Sequence, residues 1–167
     1  MHDEYVIYGA PISLFTRKLE AAFRFYRAPF RHEAAAVRGD GEMAKRAATH
    51  QVPVLRTPED WAIADTTPLI DLLDGRFPSR RLFPEGPLGV MVHVVEEILD
   101  EWVARAMVHY RWHHPENTRH VISAITGRAM SLEEALASPL AEWGPRACRA
   151  TGTESEHQQQ AVEREYA

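Results

Sequence analysis

Cysteine is almost absent from this chain: Cys148 is the only one in 167 residues. One cysteine excludes an intrachain disulfide and fits a reducing compartment. There is no basic excess either. The formal net charge is −5, which argues against a nucleic-acid partner, because phosphates need cations to neutralise them. No apolar run reaches the length of a membrane span, so no membrane partner is expected. The first residues, Met1-His2-Asp3-Glu4, are acidic and lead straight into an apolar segment. A secretory leader starts basic, so the expectation is a cytoplasmic protein. What remains is ordinary for a globular chain: 45% hydrophobic and 26% charged residues.

The first half alternates strand and helix signals. Tyr5-Val6-Ile7-Tyr8 is β-branched and aromatic and is closed by Gly9. Leu14 to Tyr26 has helical spacing, with Phe15, Leu19, Ala22, Phe23 and Tyr26 on one face. Arg17, Lys18, Glu20 and Arg24 are expected on the other. Pro29 to Glu33 reads as a second strand, Gly39-Asp40-Gly41 as a turn, and Glu42 to Ala48 as a short helix. Val52 to Arg56 and Trp61 to Ala64 are apolar runs around Thr57-Pro58-Glu59-Asp60, a hairpin pattern. Thr67 is a candidate cap for a helix starting at Pro68 and ending at Gly75, with Leu69, Ile70, Leu72 and Leu73 inward. The order βαβαββα predicts a small mixed sheet with helices on its faces.

Pro78, Pro84 and Pro87 punctuate a polar stretch that reads as a linker, with Arg80 and Arg81 solvated. The expected domains are 1–78, a linker at 79–87, and 88–167. Beyond the linker the signal is helical. Leu88 to Trp112 reads as one long helix, broken by Pro115-Glu116-Asn117. His120 to Ile125 and Ser131 to Ala137 are shorter candidates, the latter with a Ser131/Glu134 capping box. From Arg146 the chain is polar, with Cys148 incidental, until Ser155 opens a last helical pattern through Gln158, Ala161, Val162 and Tyr166. That pattern stops at Ala167 without a terminator, so an incomplete helical domain is expected. His109 and His113 lie one turn apart. No Glu stands between them as in a zincin, and they read as histidines near a helix C-terminus, so no metal is expected.

One stretch stands out chemically. Gln51-Val52-Pro53-Val54-Leu55 carries a proline inside an apolar run. Proline removes a ladder donor. A cis X-Pro bond costs only about 0.5–1 kcal/mol, and such a bend would free the Val52 backbone to grip an extended ligand. An edge strand beginning at Val54, with Pro53 a turn residue, is the other reading.

Three segments in order now resemble one family. Tyr8-Gly9-Ala10-Pro11-Ile12-Ser13-Leu14-Phe15-Thr16-Arg17-Lys18, Gln51-Val52-Pro53-Val54-Leu55 and Asp65-Thr66-Thr67-Pro68-Leu69-Ile70 resemble the N-terminal domain of glutathione S-transferases of the serine type. The resemblance covers about residues 4–84. It implies an α/β thioredoxin-like domain followed by an all-α domain. It implies glutathione as co-substrate, a small hydrophobic electrophile as partner, a homodimer through the two domains' faces, and a role in detoxification. Ser13 would be catalytic, hydrogen-bonding the glutathione thiol at a helix start, where both hydroxyl and helix terminus favour the thiolate. Val52 would pair its backbone with the cysteinyl part, Pro53 would be the cis proline, and Gln51 would reach the glycyl end. Asp65 and Thr66 replace the usual Glu-Ser pair and would hold the γ-glutamyl ammonium and carboxylate. Plain helix capping is the other reading for Ser13 and for Asp65-Thr66. Ser13 and Thr16 occupy the two cysteine positions of a redox turn in this fold, so disulfide exchange there is excluded. The family's electrophile site would draw on Tyr110, Arg111 and Trp112, for which core packing is the other reading. A non-catalytic interaction module and an inactive fragment of a longer enzyme are the alternatives.

Overall fold

Tyr5–Gly9 forms β1, and its alternation sorts the sheet's two faces. Tyr5 and Ile7 point into an apolar cluster, while Val6 and Tyr8 take the opposite face. The structure is a computed structural model and describes residues 4–35 and 41–167. The sequence-predicted turn at Gly39-Asp40-Gly41 lies largely outside the described residues.

The helix α1 spans Leu14–Tyr26, the predicted bounds. Ser13 caps it in an extended conformation, and Arg27, at φ 57°, closes it by donating its N–H to the Arg24 carbonyl. β2 (Phe30–Ala34), α2 (Glu42–Arg46), β3 (Val54–Arg56), β4 (Ala62–Ala64) and α3 (Thr66–Arg76) complete the first unit. The sheet order is β2-β1-β3-β4, with β1 parallel to β2 and antiparallel to β3, and β3 antiparallel to β4. Ile7 stands beside Leu55 and Leu55 beside Ile63. This row meets Leu19 and Phe23 of α1 and Leu69 and Leu73 of α3 in one core. Burying each such side chain is worth about 1.5–3 kcal/mol before entropy is counted.

Glu20 departs from its expected place. It is buried on α1, and its carboxylate meets Arg17 (2.9 Å) and the His32 Nδ1 (2.9 Å). The linker is also more than a solvated spacer. A 3-10 turn at Pro78–Arg80 is followed by Leu82 and Phe83, which pack on the core. Buried Asp74 accepts from the Tyr26 hydroxyl (2.6 Å), the Leu82 N–H (2.7 Å) and the Phe83 N–H (2.8 Å). Burial first, and then this carboxylate, push the Tyr26 phenol well above its usual range. Arg80 is half-buried, and its Nε donates to the Phe25 carbonyl at 2.7 Å.

The chain divides into two compact units, one ending at Val94 and the other spanning Val95–Ala167. The division falls inside α4 (Pro87–Trp112). Several of its apolar positions, Val95, Leu99 and Trp102 among them, are half exposed. α4 ends at Trp112, before Pro115 as expected, and Pro115 also opens the next helix: α5 runs Pro115–Thr126 from the N-cap His114. α6 (Leu132–Leu136) has the Ser131/Glu134 capping box as predicted. A 3-10 turn at Pro139–Glu142 and α7 (Trp143–Ala150) follow, neither of them predicted. Cys148 is not incidental tail: it lies buried on α7, where burial pushes its thiol up. α8 (Glu156–Tyr166) starts from the Ser155/Gln158 capping box. Trp112 packs beside Ile122, Met130 and Ala135 in this unit's core. Among the described residues, no helix is long and apolar enough to cross a membrane.

Candidate functional site

The register places the three motif segments at one end of the sheet. Tyr8 pairs with Val54, and Val54 with Ala64. β1 leaves this end into Ala10–Ser13, β3 is entered there from Gln51–Pro53, and β4 leaves there into Asp65–Thr66. Antiparallel pairing therefore gathers segments lying 12 to 38 residues from the next along the sequence.

Gly9 sets the entry to α1. A Cβ on Gly9 would stand 2.5 Å from the Thr16 Cγ2, so only glycine permits this approach of strand and helix. The Gly9 carbonyl accepts from the Ala35 N–H (2.8 Å) and pairs with the His32 Nε2 (3.1 Å). The end of β1 before this turn is thus tied to β2 and to the residue that follows it. Ser13 is 9% exposed, and its Oγ accepts from the Thr16 N–H at 3.3 Å. The capping reading is therefore observed. It does not exhaust the hydroxyl, whose own O–H is still a donor.

Val52–Pro53 is a cis peptide. β3 begins only at Val54, and among the described residues neither the N–H nor the C=O of Val52 is hydrogen-bonded. Its backbone stands outside the ladder with both groups unsatisfied by the fold. Pro53 is buried, whereas Gln51 is exposed, with its N–H donating to the Thr49 Oγ1 at 3.1 Å.

Asp65, rather than Thr67, is the N-cap of α3, and the helix runs on past Gly75 to Arg76. The Asp65 Oδ1 accepts from the Thr67 N–H at 3.3 Å. Asp65 has φ 71°, left-handed for a non-glycine residue. Such positions cost about 1–3 kcal/mol and persist where the surroundings impose them. Its carboxylate is exposed, and Thr66 behind it is buried. The helix N-terminus favours an anion beside Thr66, and the free Asp65 Oδ2 favours a cation.

A cavity of about 490 Å³ opens on the sheet face opposite the core. Gln51 and Val52 line it together with Tyr8, Glu33, Arg46 and Arg56; Ser13, Pro53, Asp65 and Thr66 do not. Arg46 also ties α2 to the β3–β4 turn through the Asp60 carboxylate (3.0 Å). Of these, Glu33, Arg46 and Arg56 were not singled out as site residues from the sequence. For the strand residue Arg56 the signal was the period of two, since Tyr8 and Arg56 alternate with the core residues Ile7 and Leu55.

Residues 7–81 match the sequence profile described as glutathione S-transferase, N-terminal domain. No curated protein matches the chain in sequence. Among solved structures, a glutathione S-transferase from Methylobacterium radiotolerans, in complex with glutathione sulfonate, is 16% identical. It has a TM-score of 0.57 over 95% of this chain and 94% of that one. A Tau class glutathione S-transferase from mango, Mangifera indica, is 13% identical, with a TM-score of 0.55 over 98% and 99% of the two chains. A glutathione S-transferase of Ceriporiopsis subvermispora, in complex with glutathione, is 15% identical, with a TM-score of 0.50 over 92% and 74%. At these identities the likeness is one of fold: a thioredoxin-like four-stranded sheet domain followed by a helical part, the architecture of the glutathione S-transferases.

Proposed function

We propose that the protein binds glutathione and activates its thiol for conjugation to a small hydrophobic electrophile. The observation that carries this reading is the convergence of three unlike groups at one sheet end. These are a helix-capping hydroxyl at Ser13, an unpaired backbone at Val52 beside a cis proline, and the carboxylate and helix terminus at Asp65-Thr66. A γ-glutamyl tripeptide offers complementary chemistry in matching order: a thiol, an extended peptide backbone, and an amino-acid head with both charges.

In this mechanism the Val52 N–H and C=O pair with the cysteinyl backbone and fix the thiol near Ser13. The Ser13 O–H donates to the sulfur, and the α1 N-terminus lowers the energy of the anion. The thiolate attacks an electrophilic carbon, a carbon–sulfur bond forms, and the leaving group departs with its electron pair. Asp65 holds the γ-glutamyl ammonium, Thr66 and the α3 N-terminus hold its carboxylate, and Gln51 meets the glycyl end. A second copy of the chain is the proposed protein partner, motivated by half-exposed Val94, Ile98 and Trp102 on α4, and light scattering of the purified chain tests it. The compartment proposed is the cytoplasm.

Titration calorimetry with glutathione tests the binding step, and turnover of an aryl halide by the Ser13→Ala variant tests the chemistry. Absence of binding at millimolar glutathione removes the whole reading. A second reading is glutathione binding without conjugation. It is favoured by the near-complete burial of Ser13 and by a cavity lined by Gln51 and Val52 but not by Ser13. Binding with no turnover in the wild-type chain selects it.

A further inference from the structure

The unit spanning Val95–Ala167 holds a polar cluster that the glutathione reading leaves unused. We infer that His109, His114 and Glu163 bind a divalent transition-metal ion of the zinc type, which clamps α8 to the junction of α4 and α5. One ligand atom from each of the three residues lies within 4.8 Å of the other two. Two imidazoles and a carboxylate are a donor set suited to zinc, with a fourth position left to water.

The three residues come from different elements. His109 sits on the last turns of α4 and is 1% exposed. His114 is the N-cap of α5, its ring stacked on Tyr110 at a centroid distance of 5.7 Å. Glu163 projects from α8, with its side chain about half exposed. The His109 Nε2 meets the Glu163 Oε1 at 2.9 Å. A zinc ion with bonds of about 2.0–2.2 Å in tetrahedral geometry sets its ligands about 3.3 Å apart. Replacing the shared proton by the ion therefore opens this pair by only a few tenths of an ångström, and the exposed carboxylate can give that.

A second observation sets His109 apart from an ordinary core histidine. Its Nδ1 is buried and has no hydrogen-bond partner among the described residues. Buried polar atoms are paired in the great majority of cases. Among the described residues the contact with Glu163 is thus the only hydrogen bond the ring makes, and it points at the cluster. His113, the residue that helical spacing would pair with His109, is committed elsewhere. Its Nε2 pairs with the Thr153 carbonyl at 2.8 Å, so that nitrogen carries a proton and has no lone pair for a metal.

The full chain, stripped with a chelator, is titrated with Zn2+ by calorimetry and with Co2+ by visible absorption. One ion per chain is expected, with an apparent Kd of about 10 μM or tighter. His114→Ala and Glu163→Gln alter exposed side chains and each weaken binding by about tenfold or more, whereas His113→Ala leaves it unchanged. Zn2+ raises the unfolding midpoint of the wild type and of His113→Ala, and not that of the other two variants. No binding at about 1 mM Zn2+, or a loss of less than about twofold in either His114→Ala or Glu163→Gln, overturns the proposal. Glutathione binding does not enter any of these readouts, so the two proposals fail independently.

Discussion

Ser13 is given two duties, and substitution can separate them. As a cap, its Oγ accepts from the Thr16 N–H at 3.3 Å, and Thr16 is fully buried. Ser13→Ala leaves that N–H without a side-chain acceptor in a place water does not reach. The bond is long, which argues for the lower part of the usual cap range, while the burial argues for the upper part. We expect a loss of about 1–2 kcal/mol, which is a shift of about 0.5 M in the urea midpoint. As a donor, the hydroxyl bonds an anion, an interaction worth about 1.5–3 kcal/mol. Its loss lowers turnover about 10- to 100-fold and raises the pKa of bound glutathione by about one to two units. Ser13→Asp keeps an acceptor for Thr16 and suits a helix N-terminus, so stability returns to within about 0.5 kcal/mol of wild type. It offers no O–H, and its charge repels a thiolate. Turnover in Ser13→Asp should therefore stay at or below that of Ser13→Ala. Urea unfolding and thiolate absorbance against pH read the two duties separately. An Asp variant with wild-type turnover refutes the donor role, and an Ala variant of unchanged stability refutes the cap.

Asp74→Ala strands two backbone donors and a phenol that its carboxylate now satisfies. The expected cost is about 3–5 kcal/mol in urea unfolding, and Asp74→Asn costs less because the amide oxygen still accepts; a cost below about 1 kcal/mol for Ala contradicts the network. Tyr26 adds a pH signature: its folded pKa is raised, so its stabilising contribution is whole below the unfolded tyrosine value, about pH 10. Above that the unfolded chain ionises first and stability falls, a slope that Tyr26→Phe should reduce. Gly9→Ala puts a methyl 2.5 Å from the Thr16 Cγ2 and should cost about 1–3 kcal/mol. Thr16→Ala in the same chain should recover most of it, and additive costs in the double variant contradict the contact. Asp65→Asn keeps a capping oxygen and leaves stability within about 0.5 kcal/mol. It should weaken glutathione binding about tenfold or more through loss of charge, and unchanged calorimetric affinity removes Asp65 from the γ-glutamyl contact.

Local rules carried the bounds of α1, because a serine cap, an apolar period of 3.6 and a charged complement all agreed. They placed β1 and the βαβαββα order for the same reason. Pro115 was read only as the break after the long helix, yet a proline at the first position of a helix is equally regular, and α5 starts there. α7 escaped because Gly144 and Pro145 occupy its first turn and its buried face is only Gly144 and Cys148. Gly144 is there for packing: a Cβ would sit 3.1 Å from the Trp112 ring. Glu20 was assigned to the solvated face of α1, and only the fold brings His32 across to meet it.

The candidate site was legible to the extent that it uses backbone and helix ends. A cap, a proline and the start of a helix leave short local marks that survive wide separation in sequence. What could not be read is the register that brings them together, Tyr8 beside Val54 and Val54 beside Ala64. The same register decides which side chains face the cavity. A one-residue slip of β3 would turn Arg56 and Val54 into the core and Leu55 out of it, so the burial of Leu55 against Ile7 is also what aims Val52. The placement of the Asp65 carboxylate follows the same logic. Its side chain caps α3 with one oxygen from a left-handed backbone, and that conformation directs where the second oxygen is presented.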